Sequence, residues 1–465
     1  MTQFISTRGQ GGLKNFTDVL LTGLAPDGGL YVPQHFPQLD LKGMTGLSYA
    51  DIAYRVTAPF IGDEIDPQTY QAILKDVYGK FTHSAVAPLV QVGPNAWVME
   101  LFHGPTIAFK DYALQLLGRL FDHVLEKQGK RVTIVGATSG DTGSAAIEAC
   151  RSCRHIDIFI LHPKGRTSDV QRRQMTSVIA PNVHNIALEG TFDDCQDMVK
   201  AMFNDQAFRE KMNLSAVNSI NWARIMAQIV YYVTSALALG AETGRAPSFS
   251  VPTGNFGNIY AAYCARRMGV PMSRLIIGSN RNDILTRFFD TGAMDAKGVE
   301  PSLSPSMDIQ ISSNFERYLF ELADRDAGRI QQWMTQFKAA GRFDVSAEQI
   351  AQARHEFSAH RCSDEQTLLM MAECYRETGY LVDPHTAVGL YAGWQAMGTD
   401  TSSPLIALAC AHPAKFPDAV QKATGIHPPL PAHLADLYER PEKFDILPNH
   451  LKTVQDFVQS RVKSS

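Results

Sequence analysis

From residue 97 onward, short apolar runs rich in Val and Ile alternate with longer stretches of helical periodicity, and this alternation constrains the fold more than any other feature of the chain. It is the pattern of strand-helix-strand units in a parallel sheet. The runs read as strands span 97–100, 131–135, 156–161, 183–187, 248–251, 275–277 and 405–409, and strands of this kind in a parallel sheet are buried on both faces. Helices are expected to start near Thr142, Ser168, Thr191 and Gly257, where a polar or glycine cap precedes apolar residues at helical spacing. The fold class is therefore α/β.

The flanks read differently. Residues 1–90 mix short helical patterns with turn signals such as Pro26-Asp27-Gly28-Gly29 and form a small leading domain. Between 281 and 385 the sheet pattern lapses into mostly helical, charged sequence, read as an insertion within a catalytic domain that spans 91–425. Prolines break any long element after about residue 420, so residues 426–465 are expected as an extension that wraps the surface and ends in a short helix. A chain of 465 residues, 45% hydrophobic, is long enough for two or three such domains.

A net charge of -4 supplies no basic field for nucleic acid or an anionic membrane, which leaves a small molecule as the expected partner. Seven cysteines, an odd number, point to thiols in a reducing compartment. Cys150 and Cys153 make one C-x-x-C, but no second pair at zinc spacing accompanies them, so no metal is expected. The opening MTQFISTRGQGG carries no basic stretch leading into an apolar run, and no apolar run approaches the ~18 residues of a membrane span. A soluble cytoplasmic protein is the expected setting.

Four polar or glycine-rich clusters follow predicted strands, where open parallel sheets bind ligands. In HGPTIAFKD (103–111), Lys110 has mostly apolar neighbours, and desolvation frees such an amine to form an imine with an aldehyde; in isolation a lysine is more often a surface residue. GATSGDTG (136–143) has neither the spacing of a dinucleotide fingerprint nor the lysine of a P-loop. Its Ser139, Gly140 and Thr142 at a helix start offer hydroxyl and N–H groups to a carboxylate, with a plain strand-to-helix turn as the alternative. PTGNFGN (252–258) combines two glycines with a helix start and suits a phosphate monoester. CAHPAKF (410–416) puts Cys410 at a strand end. A small cofactor with an aldehyde, a phosphate arm and a ring nitrogen would draw on Lys110, the 254–258 loop and Cys410, and pyridoxal 5'-phosphate (PLP) is such a cofactor.

With these motifs the sequence resembles the threonine synthases, in particular their longer bacterial and fungal branch. The resemblance rests on GLAPDGGLYVP (23–33), FHGPTIAFKD (102–111), GATSGDTGSAA (136–146), NSINWARIMAQ (218–228), PTGNFGN (252–258) and AHPAKF (411–416), in the family's order across most of the chain. It implies a tryptophan-synthase-β-like (fold type II) PLP enzyme, a monomer, that converts O-phospho-L-homoserine and water to L-threonine and phosphate, the last step of threonine biosynthesis. By the same resemblance Lys110 anchors the cofactor covalently and is catalytic, while Gly254, Asn255, Phe256, Gly257 and Asn258 hold its phosphate. Thr138, Ser139, Gly140 and Thr142 match the loop that takes the substrate carboxylate, and Asp141 approaches the cofactor's 3'-oxygen, where relatives often carry Asn. Asn218, Ser219 and Arg224 match the segment that holds the substrate phosphate, although alone Arg224 would read as an ordinary helix-surface charge. Cys410 stands where many relatives have Thr or Ser facing the pyridine nitrogen. The rival readings are an enzyme of the same fold that releases a 2-keto acid, a non-catalytic PLP-binding or ligand-sensing protein, and an NAD-dependent dehydrogenase, which the glycine spacing disfavours.

Overall fold

In the computed structural model, which describes residues 2–138, 140–216, 218–400 and 402–462, the chain packs as two units. One is Met1–His103 with Ser219–Pro428, and the other is Gly104–Asn218 with Pro429–Ser465. All the runs expected as strands form strands.

The first unit is built on a six-stranded sheet in the order Phe357–Arg361, Leu275–Ser279, Ser248–Pro252, Leu405–Ala409, Ala96–Glu100, Leu89–Gly93. Neighbours are parallel except the last pair. Every residue of Ser248–Pro252, Leu275–Ser279 and Leu405–Ala409 is buried, as strands covered on both faces must be. The parallel register brings the ends of Ser248–Pro252, Leu405–Ala409 and Ala96–Glu100 to one edge, which sets the loops beginning at Thr253, Cys410 and Leu101 side by side. The leading residues add a two-stranded antiparallel ribbon, Phe4–Ser6 with Tyr31–Pro33, and the helices Phe16–Thr22, Tyr49–Ile61 and Pro67–Tyr78. Asn15, Ser48 and Asp66 cap these helices by accepting first-turn N–H groups.

Helices dominate 281–385, as expected, but three strands in that stretch had not been foreseen: the short antiparallel pair Ala293–Asp295 and Arg342–Asp344, and the longer Phe357–Arg361. Phe357–Arg361 joins the sheet parallel to Leu275–Ser279. Paired on one side only, it reads FSAHR and lacks the apolar run of a central strand.

The second unit carries a five-stranded parallel sheet in the order Asp445–Pro448, Val183–Glu189, Ile156–Pro163, Val132–Ala137, Leu214–Ser215. Residues 445–461 correct the expectation of a surface wrap. Asp445–Pro448 is an edge strand of the sheet, and the helix Leu451–Arg461 buries Val454 and Val458 against Phe159, Cys195, Met198 and Met202. The helices Lys110–Gln128 and Asp141–Cys150 pack closely because Gly118 has no side chain; a Cβ there would lie 2.7 Å from the carbonyl oxygen of Ala149. Among the described residues no helix is long and apolar enough to cross a membrane.

Candidate active site

Lys110 is the first residue of the helix Lys110–Gln128, whose start has no side-chain cap. The turn before it is held from inside the helix: the Asp111 carboxylate accepts the backbone N–H of Thr106 and the Thr106 hydroxyl, both at 2.8 Å. Buried Ile107 is held at φ 54, a left-handed conformation that costs a β-branched residue about 1–3 kcal/mol and persists only where its surroundings impose it. Gly104 makes the clamp possible, since a Cβ there would lie 2.4 Å from the Asp111 Cβ. Gly104→Ala is therefore expected to break the clamp, with an overpacking cost of about 1–3 kcal/mol. The check is a lowered Tm together with less bound cofactor per chain. Lys110 itself is 12% exposed, with Nζ 3.5 Å from Asp141 Oδ2 and 5.5 Å from the centre of the Phe109 ring.

The loop opposite that amine owes its shape to Thr138. Its hydroxyl oxygen accepts the N–H groups of Gly140 and Gly143, each at 3.0 Å, so what Thr138 gives a ligand is first of all the curvature of the loop. At Gly143 a Cβ would lie 2.3 Å from Thr138 Cγ2. Asp141 opens the helix Asp141–Cys150, and its second oxygen accepts Gln171 Nε2 at 2.9 Å, which fixes the carboxylate that faces Lys110. Asp141 and Thr142 lie in the first turn, where N–H groups have no carbonyl one turn behind them and suit an anion. Ser139 lies outside the described residues. Asn218, at the end of this unit's first segment, has its Oδ1 buried without a hydrogen-bond partner.

In the other unit the strand Ser248–Pro252 runs through 253–256 into the helix Gly257–Arg267. The carbonyls of Gly254 and Asn255 are tied down by Ser312 Oγ at 2.7 Å and the Asn314 N–H at 3.1 Å. In a trans peptide the N–H points away from its carbonyl, so the N–H groups of Asn255 and Phe256 face the opposite side. Gly254 is closely packed, a Cβ there falling 3.1 Å from Ser306 O and 3.2 Å from Met307 Cα. Phe256 sits at φ 60 with its ring anchored on Phe315, Tyr318 and Phe357, which leaves its backbone as the part available to a ligand. Asn258 Oδ1 accepts the hydroxyls of Tyr231 at 2.5 Å and Tyr232 at 2.8 Å. That orients the amide so that Nδ2 donates to Cys410 Sγ at 3.8 Å, joining the second glycine loop to the cysteine at the strand end.

Arg224 is not a surface charge. It lies in the first turn of the helix Trp222–Ala238, is 3% exposed, and buries Nε and Nη1 without a hydrogen-bond partner. Burial pulls its guanidinium down to about 10, still charged at neutral pH. A desolvated cation with unsatisfied donors is a site for an anion.

The sequence matches three family models in succession: Threonine synthase N terminus over residues 3–78, Pyridoxal-phosphate dependent enzyme over 84–336, and Threonine synthase, C-terminal over 386–458. It is 56% identical over 460 residues to the threonine synthase of Pseudomonas aeruginosa, covering 98% of each chain. The chain belongs to the threonine synthase family.

Two solved threonine synthases agree with it in three dimensions. The PLP-bound threonine synthase from Brucella melitensis superposes with a TM-score of 0.98 at 51% identity, covering 100% of both chains. The threonine synthase from yeast superposes with a TM-score of 0.94 at 38% identity, covering 99% of this chain and 98% of that one. Pyridoxal phosphate is thus the cofactor of this threonine synthase, and the residues present fit it. They provide a largely enclosed primary amine at Lys110, a glycine loop opening a helix at Gly257, and a thiol at Cys410 held against the Asn258 amide. Sequence reading had passed over Gln171, Tyr231, Tyr232, Asn314 and Arg317. The tyrosines sit in an apolar helix and read as core, and nothing local distinguishes the other three.

Proposed function

We propose that this chain converts O-phospho-L-homoserine and water to L-threonine and phosphate. The observation that carries the reading is the buried Arg224 guanidinium with two partnerless nitrogens in the segment NSINWARIMAQ, a ready partner for a phosphate monoester. Incubation of the purified protein with O-phospho-L-homoserine, with threonine, 2-oxo acid and phosphate each quantified, tests it. Equimolar threonine and phosphate is the expected result, and 2-oxo acid in place of threonine would refute it.

When bound, pyridoxal phosphate supplies an electron sink for the charge that develops at the substrate Cα. Lys110 anchors the cofactor covalently; once displaced by substrate, its amine takes the Cα proton and then moves protons at Cβ. Asp141, fixed by Gln171, holds that amine and approaches the cofactor's 3'-oxygen. Gly254, Asn255, Phe256, Gly257 and Asn258 hold the cofactor phosphate, mainly through backbone N–H groups. Thr138, Ser139, Gly140 and Thr142 receive the substrate carboxylate, and Asn218, Ser219 and Arg224 receive its phosphate. Phosphate leaves from Cγ as Cβ gives up a proton, Cγ takes a proton back to become the methyl group, water adds at Cβ, and Lys110 returns the proton to Cα before threonine is released. The same reading assigns residues 1–90 to a leading domain, 91–425 to the catalytic domain with its insertion at 281–385, and 426–465 to the extension, in a cytoplasmic monomer.

Cys410 faces the ring nitrogen in this reading, and a neutral group there leaves a weaker electron sink than a carboxylate would. Cys410→Thr is expected to keep substantial activity, since a hydroxyl is equally neutral, and Cys410→Asp to keep less. Steady-state rates at saturating cofactor check both. A Thr variant that binds cofactor but is inactive would contradict the assignment.

A further inference from the structure

The first turn of the helix Trp222–Ala238 is embedded in the leading residues of the chain. Trp222 is fully buried, with its ring centre 5.8 Å from that of Phe4 and 5.6 Å from that of Phe60. Asn221 caps the helix by accepting the N–H of Ala223 and donates to the carbonyl of Leu20 at 2.8 Å. On the other side stands Arg317, fully buried, its guanidinium 5.8 Å from the Trp222 ring centre. Arg317 donates Nε to the carbonyl of Tyr31 at 2.9 Å, Nη2 to the carbonyl of Ile220 at 2.6 Å, and Nη1 to Asn314 Oδ1. Asn314, also fully buried, donates Nδ2 to the carbonyl of Ser219 at 3.2 Å and its backbone N–H to the carbonyl of Asn255 at 3.1 Å.

These hydrogen bonds of Arg317 all go to amide oxygens, and burial pulls the guanidinium down to about 10. The leading residues are already anchored to this helix without Arg317, by the packing of Phe4 and Phe60 on Trp222 and by the bond from Asn221 to Leu20. A rigid planar fork adds a fixed distance between the oxygens it binds, which neither a hydrocarbon nor an ammonium can set. The oxygens involved belong to GLAPDGGLYVP, to NSINWARIMAQ and, through Asn314, to PTGNFGN.

We propose that Arg317, with Asn314, is a positioning residue for phosphate recognition: it braces the segment carrying Ser219 and Arg224 against the leading residues and holds it in register with the 254–258 loop. The leading domain thereby serves specificity, as the wall against which the phosphate-binding segment is set. This rests on the reading of Ser219 and Arg224 given above.

The test uses the holoenzyme and the variants Arg317→Met, Arg317→Lys, Asn314→Ala and Arg224→Ala. Inorganic phosphate and a phosphate-free amino acid, L-threonine, are each titrated against the absorbance of the bound cofactor, beside kcat and KM for O-phospho-L-homoserine. Arg317→Met and Asn314→Ala are expected to weaken phosphate and raise KM by about tenfold or more, with kcat less affected and threonine binding within about twofold. Arg317→Lys should recover little of this. A selective loss in Arg224→Ala with no selectivity in the Arg317 and Asn314 variants would overturn the positioning role and leave the phosphate reading standing. Unselective loss in Arg224→Ala would overturn that reading, and the positioning role with it. If Arg317→Met does not fold, Asn314→Ala, which keeps the buried cation and removes its link to Ser219, decides.

Discussion

Lys110→Ala is expected to lower turnover by about 10⁴-fold or more and to abolish the visible absorbance of the covalently bound cofactor. A positioned general acid-base contributes roughly 10²–10⁴-fold by itself, and here the same amine is also the covalent anchor. Its neighbours do not replace it: Asp141 Oδ2 at 3.5 Å accepts protons but forms no imine, and Gln171 is neutral. Lys110→Arg should be equally inactive, because a guanidinium keeps the charge and loses the nucleophile. Borohydride reduction of the wild type followed by peptide mapping is the direct check, with the label expected within FHGPTIAFKD. Label on another lysine would end the assignment.

Loss of Arg224 should be nearly as damaging, but only toward a phosphorylated substrate. Truncating one partner of a buried, charge-assisted pair costs roughly 2–5 kcal/mol, which corresponds to tens to thousands of fold in kcat/KM for O-phospho-L-homoserine with Arg224→Ala. Slow dehydration of serine, which carries no phosphate, is the control and should change little. Stability should move the other way. A buried cation with two unsatisfied nitrogens destabilises the ligand-free protein, so Arg224→Met, which keeps volume and removes charge, is expected to hold or raise Tm. Added phosphate should raise Tm in the wild type and not in this variant. Equal losses on both substrates, or a clear drop in Tm, would assign Arg224 to the fold.

Local pattern decides how much of this was legible in the sequence. Central strands such as 405–409, apolar throughout, and 156–163, apolar but for Asp157 and His162, are covered by neighbours and helices on both faces, and so they announce themselves. Thr191 announced its helix because a capping box is a local signal, its hydroxyl and Asp194 satisfying each other's backbone N–H groups. The edge strand 445–448 exposes alternate residues, and 357–361 fully buries only Phe357, so neither carries such a run. In the candidate site, Lys110 and the glycine loops stood out because strand-end loops with helix starts have a recognisable composition. Tyr231, Tyr232 and Arg317 did not, because their roles arise from partners far away in the chain. The bond from Asn258 to Cys410 spans 152 residues and the bond from Arg317 to Tyr31 spans 286, distances at which residue types carry no mark of the pairing.

The strand Asp445–Pro448 also orders events in time. Its partner Val183–Glu189 leaves the ribosome more than half a chain length earlier and, until residues 445–461 follow, presents an unpaired edge beside the uncovered side chains of Phe159, Met198 and Met202. Parallel pairing at such separation is slow, since the entropy of closing the long intervening loop is lost before the first hydrogen bond forms. The nascent chain therefore carries an adhesive surface through most of its synthesis, and the interval before closure is when a chaperone has most to protect.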